Sequence, residues 1–153
     1  MPTNIHASAV VLGDRGVLIA GAPGSGKTGL ALAVVSHARS LGLFGRLVGD
    51  DQLFLEVHHG RLVCAAPMTI AGLAEVRGLG PSPLEFEARA PVDLHVTLVD
   101  NAVAERFPAT ETRSVEGCEI AALTLAAGDR QAALLAVAAR LSLPPFDRSA
   151  TPI

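Results

Sequence analysis

Apolar residues fall in short runs separated by turn-forming residues, and two of those runs lie back to back near the start of the chain. Residues 7–12 form an apolar run with two β-branched valines, Val10 and Val11, which predicts a strand. Gly13, Asp14, Arg15 and Gly16 supply turn chemistry, and residues 17–20 predict a second strand that pairs with the first as a hairpin. This strand runs directly into a glycine-rich loop. Beyond the loop, Leu30, Ala31, Leu32, Val34 and Val35 sit among good helix formers, so residues 28–41 predict a helix, with Gly42 as its C-terminal stop. Residues 46–49 predict a short strand that ends in two acids, Asp50 and Asp51. Residues 52–57 and 61–65 flank His58, His59 and Gly60 and predict another hairpin.

The second half is more broken. Residues 70–76 fit a strand or a short helix. Gly78, Gly80, Pro81, Pro83 and Pro91 predict an irregular loop over residues 78–91, and a long loop in a compact domain often carries function. Residues 92–99 predict a strand with Asp100 at its end, and residues 120–125 a further strand. Asp129 is an expected N-cap for a helix to about residue 141, whose stripe of Leu134, Leu135, Val137, Ala138 and Leu141 is core or subunit interface. Pro144 and Pro145 end that helix. The expectation is an α/β fold: one catalytic domain over residues 1–143 and a loose tail over residues 144–153.

Composition narrows the functions open to such a domain. A chain of 153 residues, half of them hydrophobic, suits a single core. Trp and Tyr are absent, so a nucleotide base cannot stack on either. The formal net charge is -3 and no run of Lys or Arg exists, which argues against a nucleic-acid partner. Cys64 and Cys118 make no metal-ligand pattern with the five histidines and read as reduced thiols. No apolar stretch reaches membrane-spanning length, and the N-terminus lacks the features of a signal peptide. A cytoplasmic protein with no membrane partner is expected.

The glycine-rich loop carries the chemistry. Gly21, Ala22, Pro23, Gly24, Ser25, Gly26, Lys27 and Thr28 fit the pattern G-x-x-x-x-G-K-[ST], between a predicted strand and a predicted helix. Such a loop turns successive N–H groups inward onto phosphate oxygens, and the helix adds its positive end. Lys27 is expected to reach the β- and γ-phosphates of ATP, and Thr28 to place its hydroxyl on Mg²⁺. Phosphoryl transfer to a hydroxyl also asks for a carboxylate near the acceptor. Asp50 and Asp51 end a strand on which neighbours point to opposite faces, so one of the two is expected to face the phosphates. Asp100, at the end of the strand over residues 92–99, competes with them, and composition does not choose.

Several stretches together resemble the catalytic domain of HPr kinase/phosphorylase. They are His6 and the following strand at the family's distance from the loop, the loop itself, R-L-V-G-D-D at residues 46–51 beside the family's R-L-V-A-D-D, and E-V-R-G-L-G at residues 75–80 beside its E-I-R-G-L-G. The last two are far more specific than the loop. The clear match covers residues 6–100, and a weaker one continues to about residue 139. The resemblance implies an ATP-dependent kinase that phosphorylates a serine of HPr or an HPr-like phosphocarrier of a bacterial phosphotransferase system, with a phosphate-dependent reverse reaction. It implies that Thr28 and Glu75 bind Mg²⁺, that Asp51 is the proton acceptor for the target serine, that His6 and Arg106 are auxiliary catalytic residues, and that residues 74–83 form the catalytic loop. It further implies a P-loop domain with a mixed sheet, related to the nucleotide-binding fold of phosphoenolpyruvate carboxykinase, and a homo-oligomer, a hexamer in that family.

The sequence departs from the family in three ways. The long N-terminal regulatory domain is missing, so a truncated form is expected. Ser40, Leu41, Gly42, Leu43, Phe44 and Gly45 are inserted before Arg46. The family's P-G-R-N segment, tied to dephosphorylation, aligns with Ala127, Gly128, Asp129 and Arg130, and the chain from Gly80 is shorter and differs over residues 81–91. Two other functional classes stand beside this one. A small-molecule P-loop kinase or ATPase would need an Arg-rich lid, and no Arg cluster follows the predicted helix. A nucleotide-binding regulatory module without turnover would not need Lys27, Asp51 and Glu75 together.

Overall fold

The computed structural model describes residues 2–104 and 111–148. Its main layer is a six-stranded mixed sheet built from β2 (Ser8–Leu12), β3 (Arg15–Gly21), β4 (Gly45–Gly49), β10 (Leu94–Val99), β11 (Glu111–Val115) and β12 (Cys118–Ala126). The strand order is β11-β12-β10-β3-β2-β4. The central strands β12, β10 and β3 run parallel, while β2, β4 and β11 join antiparallel. The hairpin expected before the loop is present, with Leu12 opposite Arg15 and Ser8 opposite Ile19.

Side-chain alternation gives this sheet two different faces. Val17 and Ile19 of β3, with Val96 and Leu98 of β10, face α1 (Lys27–Ser40) and α3 (Arg130–Arg140) in the larger core. Helix α1 stops where the sequence places Gly42. Gly42 has φ 76°, and its N–H bonds to Arg39 O while the N–H of Leu43 bonds to Ala38 O, the paired bonds of a Schellman motif. The N-cap of α3 is Asp129, whose carboxylate accepts from the N–H of Ala132 at 3.1 Å.

On the opposite face Leu18, Ala9 and Val48 meet a second, antiparallel sheet of β1 (Thr3–Ile5), β5 (Leu53–His58), β6 (Arg61–Ala65) and β9 (Arg89–Pro91), ordered β1-β5-β6-β9. The two sheets come very close at Gly16, where a Cβ would lie 1.7 Å from the carbonyl oxygen of Pro91.

The segment over residues 78–91 is more regular than its glycines and prolines predict. After a 3₁₀ turn at Met68–Ile70, β7 (Leu73–Val76) pairs antiparallel with β8 (Gly80–Pro83), which resolves the strand-or-helix alternative for residues 70–76 as a turn followed by a strand. The prolines fit because this is a two-stranded ribbon whose strands each keep a free edge, where a missing N–H costs nothing. Strand β1, strand β11 and the short helix α2 (Asn101–Ala104) are also absent from the sequence reading. They are three to five residues long, too short for a periodicity to emerge.

Candidate functional site

The loop between β3 and α1 has the shape expected for an anion cradle. The N–H of Ser25 donates to the carbonyl of Ala22 at 3.0 Å. Gly24 and Gly26 hold φ values of 80° and 101°, which any Cβ would strain. No side chain caps α1, and no acid stands in its first turn. The N–H groups of that turn therefore have no partner within the helix. Lys27 is buried, and its ammonium donates to the carbonyls of Gly21 at 3.0 Å and Ala22 at 3.3 Å, folded back over the loop. Among the described residues, Ser25 Oγ is the buried side-chain oxygen without a hydrogen-bond partner. Free amides, an ammonium group and an unsatisfied hydroxyl on one loop match the acceptor-rich surface of a polyphosphate.

The two acids after β4 are separated by a backbone turn. The N–H of Gln52 bonds to the carbonyl of Asp50 at 2.8 Å, and Asp51 between them has φ 67°. This is a γ-turn in its rarer, positive-φ form, a conformation that costs of order 1–3 kcal/mol in a non-glycine residue. It lies just beyond β4, so the turn, and not strand alternation, sends the acids in different directions. Asp50 is buried and Asp51 is exposed.

Asp50 is the junction of the site. Its Oδ1 accepts from Ser8 Oγ of β2 at 2.7 Å and from Thr28 Oγ1 of α1 at 2.8 Å. Its Oδ2 accepts from the N–H of Glu75 on β7 at 2.9 Å. One carboxylate thus gathers four segments of chain: the loop helix, the hairpin before it, the strand end that bears both acids, and the glycine-rich segment after Ala74. Thr28 gives its proton to Asp50, which leaves the hydroxyl lone pairs for a cation. The N–H of Asp51 makes a long contact with Ser8 Oγ, 3.5 Å.

The other expected residues are placed unevenly. Glu75 is exposed on β7, and its backbone is tied to the carboxylate that holds Thr28. His6 is exposed between β1 and β2, two residues ahead of Ser8. Arg106 lies outside the described residues. Asp100 is exposed, and its carbonyl accepts the N–H groups of Val103 and Ala104 at 2.9 Å at the start of α2. Asp50, and not Asp100, is the carboxylate bonded to Thr28. Ser8 and the joining role of Asp50 escape the sequence reading. The only signal was a lone hydroxyl inside the apolar run of residues 7–12. Among the described residues no group of three His, Cys, Asp or Glu forms a metal cluster. Mg²⁺ held by one or two protein oxygens and by substrate phosphates does not require one.

A second polar group lies on the outer face of β10. His95 is buried; its Nδ1 stands 3.3 Å from Thr97 Oγ1, which accepts from Arg113 at 3.0 Å. Thr124 donates to Glu111 beside them. Burial, and after it the Arg113 guanidinium, pushes the His95 imidazole down to about 4. Burial likewise pushes the Cys64 thiol up to about 12, which leaves it an inert core residue.

Comparison with known proteins gives a family match that spans this site. The family model described as the HPr Serine kinase C-terminal domain matches residues 1–84, which contain the loop, both acids and Glu75. An HPr kinase/phosphorylase of Clostridium tetani is 35% identical over 78 residues, covering 51% of this chain and 24% of that protein. One from Lactobacillus acidophilus is also 35% identical over 78 residues, 50% of this chain and 22% of that protein. The match therefore spans about a quarter of the length of these relatives. The fold is similar to that of the Hpr(Ser) kinase/phosphatase from Coxiella burnetii, with a TM-score of 0.74 at 22% identity, covering 91% of this chain and 95% of that one.

Proposed function

The chain belongs to the HPr serine kinase C-terminal domain family, and from that membership we propose that it is an ATP-dependent kinase acting on a serine of HPr or an HPr-like phosphocarrier. One observation carries the reading. Asp50 joins Thr28 of the loop to the backbone of Glu75, and the next residue, Asp51, is turned outward beside them. A phosphate-holding loop, a cation-facing hydroxyl and an exposed carboxylate then stand within one network, as transfer of phosphate to a hydroxyl needs.

In this reading the backbone of Gly21, Ala22, Pro23, Gly24, Ser25 and Gly26 cradles the polyphosphate of ATP. Lys27 leaves its two carbonyl partners to meet the phosphate oxygens. Mg²⁺, when bound, would offset charge on the β- and γ-phosphates, held by Thr28 and Glu75. Asp50 accepts the Thr28 hydroxyl proton and so leaves the lone pairs of that oxygen to face the cation. Asp51 accepts the serine proton as the oxygen attacks, and returns it when inorganic phosphate attacks phosphoserine to give serine and pyrophosphate. His6 and Arg106 assist. A hairpin feeding the loop within a mixed sheet supports kinship with the nucleotide-binding fold of phosphoenolpyruvate carboxykinase. Residues 1–143 act as the catalytic unit, residues 144–153 as a tail, and the working form is a homo-oligomer in the cytoplasm. Among the described residues no helix is long and apolar enough to cross a membrane.

Incubation with labelled ATP, Mg²⁺ and an HPr-type protein tests the proposal. Label on a serine of the phosphocarrier is expected. Label on a small metabolite instead would make the chain a small-molecule kinase, and nucleotide binding without transfer would make it a regulatory module.

A further inference from the structure

The first turn of α1 carries a feature that the proposed chemistry leaves unused. Gly29 follows Thr28, and the space its side chain would fill is taken by Arg130. A Cβ built there would lie 2.1 Å from one terminal guanidinium nitrogen, 2.6 Å from Cζ and 2.9 Å from Nε. The guanidinium therefore occupies the side-chain position of Gly29. Arg130 is the first residue of α3 and is exposed. Its neighbour Asp129 spends its carboxylate on the N–H of Ala132. The six ion pairs among the described residues do not include Arg130.

This is a poor place to leave a cation. The start of a helix is its positive end, and the amides of this turn already lack partners. A guanidinium against that end is repelled until an anion arrives. The anion is already implied by the loop. Lys27 and Thr28 serve the β- and γ-phosphates and the metal, while the backbone amides of such a loop cradle the α- and β-phosphates. Gly29 is one residue further from the γ side, so a group resting on it faces the α-phosphate. A guanidinium there offers paired N–H donors to phosphate oxygens, in a fork that an ammonium group lacks.

We propose that Arg130 is a nucleotide-binding residue that reaches across from α3 to the α-phosphate, and that Gly29 is a glycine because any side chain would evict it. The proposal rests on the nucleotide-binding reading of the loop. It makes α3 the second wall of the nucleotide site, and it predicts that the protein tells nucleotides from shorter polyphosphates at this point.

Calorimetric titration of the full chain with ADP and, separately, with inorganic pyrophosphate in Mg²⁺ tests it. Pyrophosphate can occupy the β and γ positions without reaching the α position. Arg130→Gln is expected to weaken ADP about tenfold and to leave pyrophosphate unchanged, the loss of one charged contact. Gly29→Ala is expected to show the same selectivity. Alanine favours a helix more than glycine does, so this loss would not reflect an unfolded α1. ADP affinity unchanged in Arg130→Gln, equal weakening of both ligands, or a loss confined to Gly29→Ala would each overturn the proposal. A wild-type chain that binds neither ligand would instead sink the nucleotide-binding reading beneath it.

Discussion

Two polar centres lie beside the main sheet, and they solve burial in opposite ways. At the end of β4, Asp50 is buried among donors: two hydroxyls and a backbone N–H drawn from three other segments. On the outer face of β10, His95 is buried with a cation nearby, and its proton affinity falls to about 4. The first centre binds segments together and leaves its neighbour, Asp51, in solvent. The second is a neutral ring packed into a sheet face. The difference teaches that depth of burial does not mark a reactive group. In both centres the deep residue is structural, and only at the first does an exposed acid, Asp51, stand beside it on strained backbone.

The sharpest way to break this comparison is Asp51→Ala. If the exposed acid is the base, the kinase rate should fall about 10²–10⁴-fold with nucleotide affinity nearly unchanged, as steady-state kinetics and ADP titration would read. Retention of full rate would remove Asp51 from the chemistry.

Asp50→Ala should act chiefly on stability. It leaves Ser8 Oγ, Thr28 Oγ1 and the N–H of Glu75 without their acceptor. With a buried donor left unsatisfied at about 1–3 kcal/mol, the expected loss is about 3 kcal/mol by chemical denaturation, since Thr28 is only half-buried and Glu75 is exposed. Magnesium dependence should weaken with it. A stable Asp50→Ala protein with unaltered magnesium response would show that the junction is dispensable.

The His95 centre predicts a dependence on pH. Its folded value of about 4 lies below the ordinary imidazole value of 6.5, so the unfolded chain binds the proton more readily between those values. Stability from this group is full above about pH 6.5 and declines as pH falls toward 4. Between pH 7 and pH 5 the loss is about 2 kcal/mol. Melting curves should show that His95→Leu flattens this decline. An unchanged pH profile would mean that the ring is protonated or solvated in the fold.

The smallest effect is expected at Ser8→Ala. It removes one donor from Asp50 and leaves two, so about 1 kcal/mol of stability should be lost with the kinase rate within a few-fold of wild type. A rate collapse would show instead that Ser8 also orients the turn at Asp51, through its contact with that residue's N–H.

Much of this site was legible in the chain itself. The loop from Gly21 to Thr28, the stop of α1 at Gly42 and the cap of α3 at Asp129 are local rules, in which a few consecutive residues decide the backbone. The pairing of Asp50 with Asp51 was also visible, together with the expectation that they point apart. The reason given for it was wrong, because a turn after the strand does what alternation was expected to do. The prolines of residues 81–91 suggested irregularity, yet all three lie on strands, Pro81 and Pro83 in a two-stranded ribbon and Pro91 on the edge strand of the four-stranded sheet.

By itself the sequence determined the cradle, the helix that follows it and the chemical types available nearby, because each depends on neighbours within a turn or two of chain. Only the tertiary structure decided that Asp50 ties Ser8, Thr28 and Glu75 together, that Asp51 remains outside, and that Arg130 lies on Gly29. Those contacts join residues 22 to 101 positions apart, and long separations are fixed by how sheets and helices pack rather than by any local preference of the chain.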